Sequence, residues 1–133
     1  MTPFVGVRVL VVEDEGAIAL LIEEMLEEFG CEVVASVARL AAACEVAGSA
    51  QVDLAILDVN LAGERVFPVA EILQGRKIPF LFSTGYGASG LPAEYAGCPV
   101  LHKPFSQSEL QQKIAVTLKE ARESGLAAST DIN

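Results

Sequence analysis

The strongest constraint on this chain is a repeated change of period. Short, nearly unbroken apolar runs alternate with stretches whose apolar residues recur every three to four positions. Val7 to Val12, interrupted only by Arg8, and Leu54 to Leu57, bounded by Asp53 and Asp58, read as central strands covered on both faces. Glu32 to Ala35, Pro79 to Phe82 and Val100 to His102 complete five expected strands. Between the first two, Ile18, Leu21, Ile22, Met25, Leu26 and Phe29 form one stripe opposite Glu23, Glu24, Glu27 and Glu28, which predicts an amphipathic helix stopped by Gly30. Val37, Leu40, Ala41 and Cys44 predict a second helix, and Phe67 to Leu73 a third. The last helix opens on a capping box, Ser106-Gln-Ser-Glu109, and carries Leu110, Ile114 and Leu118. Strands alternating with helices imply an α/β fold, a doubly wound five-stranded parallel sheet.

The segment Gly85 to Gly97 holds Gly85, Gly87, Gly90, Pro92 and Gly97, which predicts a loop with at most a short fourth helix. A domain over residues 1–124 and an unstructured tail over 125–133 are expected, because Gly125 to Asn133 is small, polar and aperiodic. A chain of 133 residues, 52% of them hydrophobic, suits one compact core with little room for a second domain. Eighteen acidic against nine basic residues give a net charge of -9, which disfavours nucleic acid as a partner. No stretch approaches the roughly 20 apolar residues that span a bilayer, and the N-terminus lacks an export signal. No membrane partner and a cytoplasmic location are therefore expected. Cys31, Cys44 and Cys98 lack metal-ligand spacing and read as small buried hydrophobes.

In an open parallel sheet, ligands bind beyond the carboxyl ends of the strands, where strand order reverses. The residues following the apolar runs are Glu13 and Asp14, then Asp58, Thr84 and Lys103. With strand order 2-1-3-4-5 the first and third strands adjoin, about 4.8 Å apart, so the three carboxylates converge. Like charges at such range oppose ionisation, and a hard cation resolves the conflict. Magnesium, with one or two carboxylates, retained waters and a phosphate oxygen, fits this donor set. Thr84 offers a hydroxyl and Lys103 a mobile positive charge to the same phosphate.

These residues resemble the receiver domains of two-component response regulators, over about residues 7 to 122. The likeness rests on Glu13-Asp14, Leu57-Asp58-Val59-Asn60, Ser83-Thr84-Gly85 and Lys103-Pro104-Phe105, in the family's order. It implies the flavodoxin-like receiver fold, Asp58 as phosphoacceptor, Asp14 and Asp58 as direct magnesium ligands, and Glu13 as a contributor through water. It further implies the Asn60 backbone carbonyl as a ligand, Thr84 turning toward the phosphoryl group, Lys103 paired with it, and a cis bond at Lys103-Pro104. Two departures stand out. The position three before the lysine, often a switch aromatic, is Val100. Phe82-Ser83-Thr84-Gly85-Tyr86 is similar to the Phe-Ala-Thr-Gly run of the FATGUY branch, with Ser83 in place of alanine, and Tyr86 is a candidate for part of the switching role.

Taken singly, each of these residues has an ordinary reading: strand-end acids for Glu13 and Asp14, a turn residue for Asp58, a turn at Lys103-Pro104. Their conjunction at four strand ends carries the functional one. Ser106 reads as a helix cap, and the single histidine, His102, as solvent-facing or structural. The expected function is a single-domain phosphorylation switch. It would receive phosphate from a histidine kinase or phosphotransfer protein, promote its own phosphorylation and dephosphorylation, and signal through an unknown downstream protein. The alternatives are a non-phosphorylated pseudo-receiver acting as a binding module and an Asp-based phosphatase. The latter is disfavoured by Asn60, where such enzymes carry a second acid.

Overall fold

In the computed structural model, residues 2–85 and 91–124 are described. The chain runs β1 (Arg8–Val12), α1 (Gly16–Glu28), β2 (Glu32–Val37), α2 (Leu40–Ser49), β3 (Leu54–Asp58), β4 (Asn60–Leu61), β5 (Glu64–Arg65), α3 (Phe67–Gly75), β6 (Phe80–Thr84), β7 (Val100–His102) and α4 (Gln107–Glu123). A single 3-10 turn, Ala93–Tyr95, precedes β7. Five strands form one sheet in the order β2-β1-β3-β6-β7, every pairing parallel. In chain order of those five this is the expected 2-1-3-4-5. None of the described helices is long and apolar enough to cross a membrane. Tyr86 and the tail 125–133 lie outside the described residues.

Strand alternation divides the core in two. Val9, Val11, Leu54, Ile56, Leu81 and Leu101 pack against Ile22 and Leu26 of α1 and Leu110 and Ile114 of α4. Leu10, Val12, Ala55, Leu57, Phe80 and Phe82 face Ala43 and Ala47 of α2 and Val69, Ala70 and Leu73 of α3. β3 and β6 are buried along their whole length, which is why both read as continuous apolar runs. Helix α1 ends as its sequence predicts. Gly30, at φ +90°, donates its N–H to Glu27 O at 3.0 Å, and Cys31 donates to Leu26 O at 3.0 Å. That reversal needs a left-handed residue. A Cβ at Gly30 would also lie 3.0 Å from the Val5 Cα. The capping box forms, with Ser106 Oγ accepting from the Glu109 N–H and Glu109 Oε1 from the Ser106 N–H.

Two readings need correction. Val37 is the last residue of β2, paired with Val12, and α2 starts at Leu40. Its spacing to Leu40, Ala41 and Cys44 fits a helical stripe, but the partner strand claims it: the Glu13 N–H donates to Val37 O at 3.0 Å. Besides the five strands there is a small antiparallel hairpin, β4-β5, turning through Ala62 (φ 52°) and Gly63 (φ 91°). The cysteines are free thiols, Cys31 buried and Cys44 and Cys98 partly so, and burial pushes all three above the usual thiol range.

Candidate functional site

The expected residues meet at the carboxyl edge of the sheet. Glu13 and Asp14 follow β1, Asp58 ends β3, Thr84 ends β6, and Lys103 follows β7. Carboxylate oxygens of Glu13, Asp14 and Asp58 lie within 4.8 Å of one another. Asp14, Asp58, Asn60, Thr84 and Lys103 line a cavity of about 270 Å³ together with Glu15 and Gly85. Thr84 is buried, and its carbonyl accepts from the Lys103 N–H at 2.9 Å, which ties the ends of β6 and β7 together. The Lys103-Pro104 peptide is cis.

Each carboxylate is held from a different direction. Lys103 Nζ lies 2.8 Å from Glu13 Oε1 and 3.1 Å from Asp58 Oδ2. Asp58 Oδ1 accepts from the Asn60 N–H at 3.2 Å, and Asp14 Oδ2 accepts from the Ala62 N–H at 3.0 Å, so the hairpin is pinned to the acidic edge. Glu13 is almost wholly buried on Lys103, and its second oxygen accepts from the Glu15 N–H at 3.2 Å. Asn60 lies on the hairpin with its side-chain oxygen accepting from the Gly63 N–H.

One ammonium among three acids does not balance the charge. Burial, then the hydrogen bond and charge of Glu13, push the Asp58 carboxyl up to about 7 despite the opposing pull of Lys103. Burial alone would lower Lys103, but its hydrogen bond to Glu13 and the charge of Asp58 outweigh this and hold it above the usual lysine value. A divalent cation fits this set chemically: oxygen donors of net negative charge beside an open cavity. Glu13, Asp14 and Asp58 each offer it one carboxylate oxygen.

A larger cavity of about 460 Å³ sits at the opposite, amino edge, between Gln74, Ile78, Phe80, Cys98 and Thr117. The reactive groups of β1, β3, β6 and β7 all lie at the other edge, so size does not mark the functional site here. Sequence reasoning misses Tyr95 and notes Ser83 only as a departure from the similar run. Tyr95 is buried and stacks on Phe67 at 5.4 Å, with its ring edge-on to Phe82 at 5.5 Å. Ser83 is 1% exposed, and its hydroxyl has no hydrogen-bond partner. Both sit outside any helical period; only the serine where the similar run carries alanine offers a signal.

The sequence profile of the response regulator receiver domain matches residues 9–115. The transcriptional regulatory protein PdtaR of Mycobacterium tuberculosis is 34% identical over 120 residues, covering 87% of this chain and 58% of PdtaR. The solution structure of SdrG from Sphingomonas melonis Fr1 is 38% identical, with a TM-score of 0.77 over 85% of this chain and 97% of SdrG. The response regulator PhyR from Brucella abortus is 27% identical, with a TM-score of 0.80 over 98% of this chain but 55% of PhyR. The chain thus spans little more than half the length of PdtaR and PhyR.

Proposed function

This chain belongs to the response regulator receiver family, and from that premise we propose that it is a phosphorylation switch whose acceptor is Asp58. The observation that carries this reading is the placement of Asp58: buried at the edge of the open cavity, with one carboxylate oxygen on the Asn60 amide and the other on Lys103. A phosphoryl group entering the cavity meets a fixed nucleophile, the Thr84 hydroxyl and a lysine able to follow the new charge. Phosphoryl transfer depends chiefly on such positioning and charge neutralisation. Magnesium bound through Asp14, Asp58 and the Asn60 carbonyl would neutralise phosphoryl oxygens. Glu13 keeps Lys103 above the nucleophile and supports the ligand set from behind. SdrG has been solved in a BeF3-activated conformation, and beryllium trifluoride on a carboxylate has the shape and charge of a phosphoryl group.

In this reading the donor is a histidine kinase or phosphotransfer protein, and the output is a contact with another protein. The chain is a switch more than an enzyme with a turnover product. Incubation with a small phosphodonor and magnesium is expected to add about 80 Da, one phosphoryl group. Asp58→Asn is expected to abolish the shift; the same gain in that variant would move the acceptor elsewhere.

A further inference from the structure

We propose that Ser83 is a positioning residue for release of the phosphoryl group, acting through the carboxylate of Asp58. The inference rests on the phosphorylation reading above. Ser83 is the register partner of Asp58 across β3 and β6, and its carbonyl accepts the Val59 N–H at 3.0 Å. Alternation puts Ser83 with Leu81, and Asp58 with Ile56, on the face covered by α1 and α4. Lys103, reaching Asp58 from β7, has to cross β6, and the residue of β6 on that face at that level is Ser83. The Ser83 hydroxyl is thus a buried, unpartnered donor beside the acceptor and beneath the lysine.

A buried hydroxyl without a partner is costly, and here both oxygens of Asp58 already accept, from Asn60 and Lys103. The arrangement changes when Asp58 carries phosphate. With the phosphoryl group on Oδ1, the oxygen now on the Asn60 amide, the Lys103 charge is drawn to the phosphoryl oxygens, which leaves Oδ2 of Asp58 short of a donor. Ser83 supplies it. In hydrolysis a water oxygen bonds to phosphorus, the bond from phosphorus to the Asp58 oxygen breaks, its electron pair returns to the carboxylate, and the water proton leaves with inorganic phosphate. The hydrogen bond from Ser83 strengthens as that negative charge develops, so it favours the transition state over the adduct.

The test compares decay of the adduct in wild type, Ser83→Ala and Ser83→Thr after removal of the phosphodonor, alongside thermal melts. Ser83→Ala is expected to decay roughly tenfold more slowly, the worth of one hydrogen bond to a charged group. Its melting temperature should hold or rise, because an unsatisfied hydroxyl has gone, and Ser83→Thr should restore the decay rate. Decay of the alanine variant at the wild-type rate or faster overturns the inference while leaving the acceptor reading intact, as does a threonine variant that decays like the alanine one. Absence of any adduct on the wild type overturns the acceptor reading and this inference with it.

Discussion

On the face covered by α1 and α4, strand alternation leads from apolar residues into charge: Val11 to Glu13, Ile56 to Asp58, Leu101 to Lys103. On the face covered by α2 and α3 it leads into rings: Phe80, Phe82, Phe67 and Tyr95 make five ring contacts with centroids between 5.4 and 6.2 Å. One sheet therefore carries an electrostatic edge on one side and a packed aromatic block on the other. They meet at β6, where Phe82 belongs to the block and Ser83 adjoins Asp58. Charge placed at Asp58 acts on the same strand that holds the rings. The contrast also separates two kinds of stability: packing on the aromatic side is independent of pH, whereas the acidic edge is not.

The largest expected effect lies in the aromatic block. Tyr95→Ala removes a buried ring stacked on Phe67, and loss of a core aromatic costs about 3–5 kcal/mol. Denaturant unfolding should show this loss equally at pH 5 and pH 8. The rise in melting temperature expected on adding magnesium should persist, since Tyr95 packs in the cluster on the face opposite Glu13 and Asp58. A variant that keeps its stability, or whose loss depends on pH, would mean that the two faces are not independent.

The acidic edge should respond in the opposite sense. Asp58 has its folded carboxyl raised to about 7, from an ordinary value of 3.8. Between those values the folded protein binds a proton that the unfolded chain has released, so stability falls as pH rises from about 4 to 7 and is regained on acidification through that window. Asp58→Asn removes this penalty. It should stabilise the magnesium-free protein by about 1–3 kcal/mol at pH 8 and by little near pH 4, read by denaturant titration at both values. Stabilisation at pH 4 equal to that at pH 8 would locate the gain in something other than charge.

The parts of this architecture legible in the sequence are those where residue type and structural demand coincide. The continuous apolar runs of β3 and β6, the stripe of α1, its Gly30 stop and the Ser106 cap each need the residue found there. The site was legible for the same reason: the residue after each strand is placed by topology, and chemistry does the rest. What escaped depends on distant partners. Val37 satisfies a helical spacing and a strand pairing equally well, and only its partner Val12 decides between them. Leu61-Ala62-Gly63-Glu64 lacks the Asn-Gly or Asp-Gly of a strong hairpin signal, yet it turns because Asp14 takes the Ala62 N–H. Tyr95, set among glycines and prolines, has no period to betray a ring that three phenylalanines enclose.

The smallest expected effect compares one helix from each face. α3 ends by the same reversal as α1: Lys77 donates to Gln74 O at 3.0 Å and Ile78 to Leu73 O at 2.9 Å. The left-handed position is Gly30 after α1 but Lys77, at φ 61°, after α3. A left-handed non-glycine residue costs about 1–2 kcal/mol, partly offset because lysine loses less backbone freedom than glycine on folding. Lys77→Gly should therefore stabilise the protein by about 0.5–1 kcal/mol. Gly30→Ala should destabilise it by at least as much, because the new Cβ meets the Val5 backbone as well as the unfavourable φ. Lys77 is exposed and remote from Asp58, so neither the phosphodonor mass gain nor the adduct lifetime should change with the glycine variant. Denaturant midpoints of the two variants, measured beside wild type at one pH, decide this. Equal and opposite signs support a common backbone origin, and a destabilised Lys77→Gly would show that the lysine side chain makes a contact worth more than the strain.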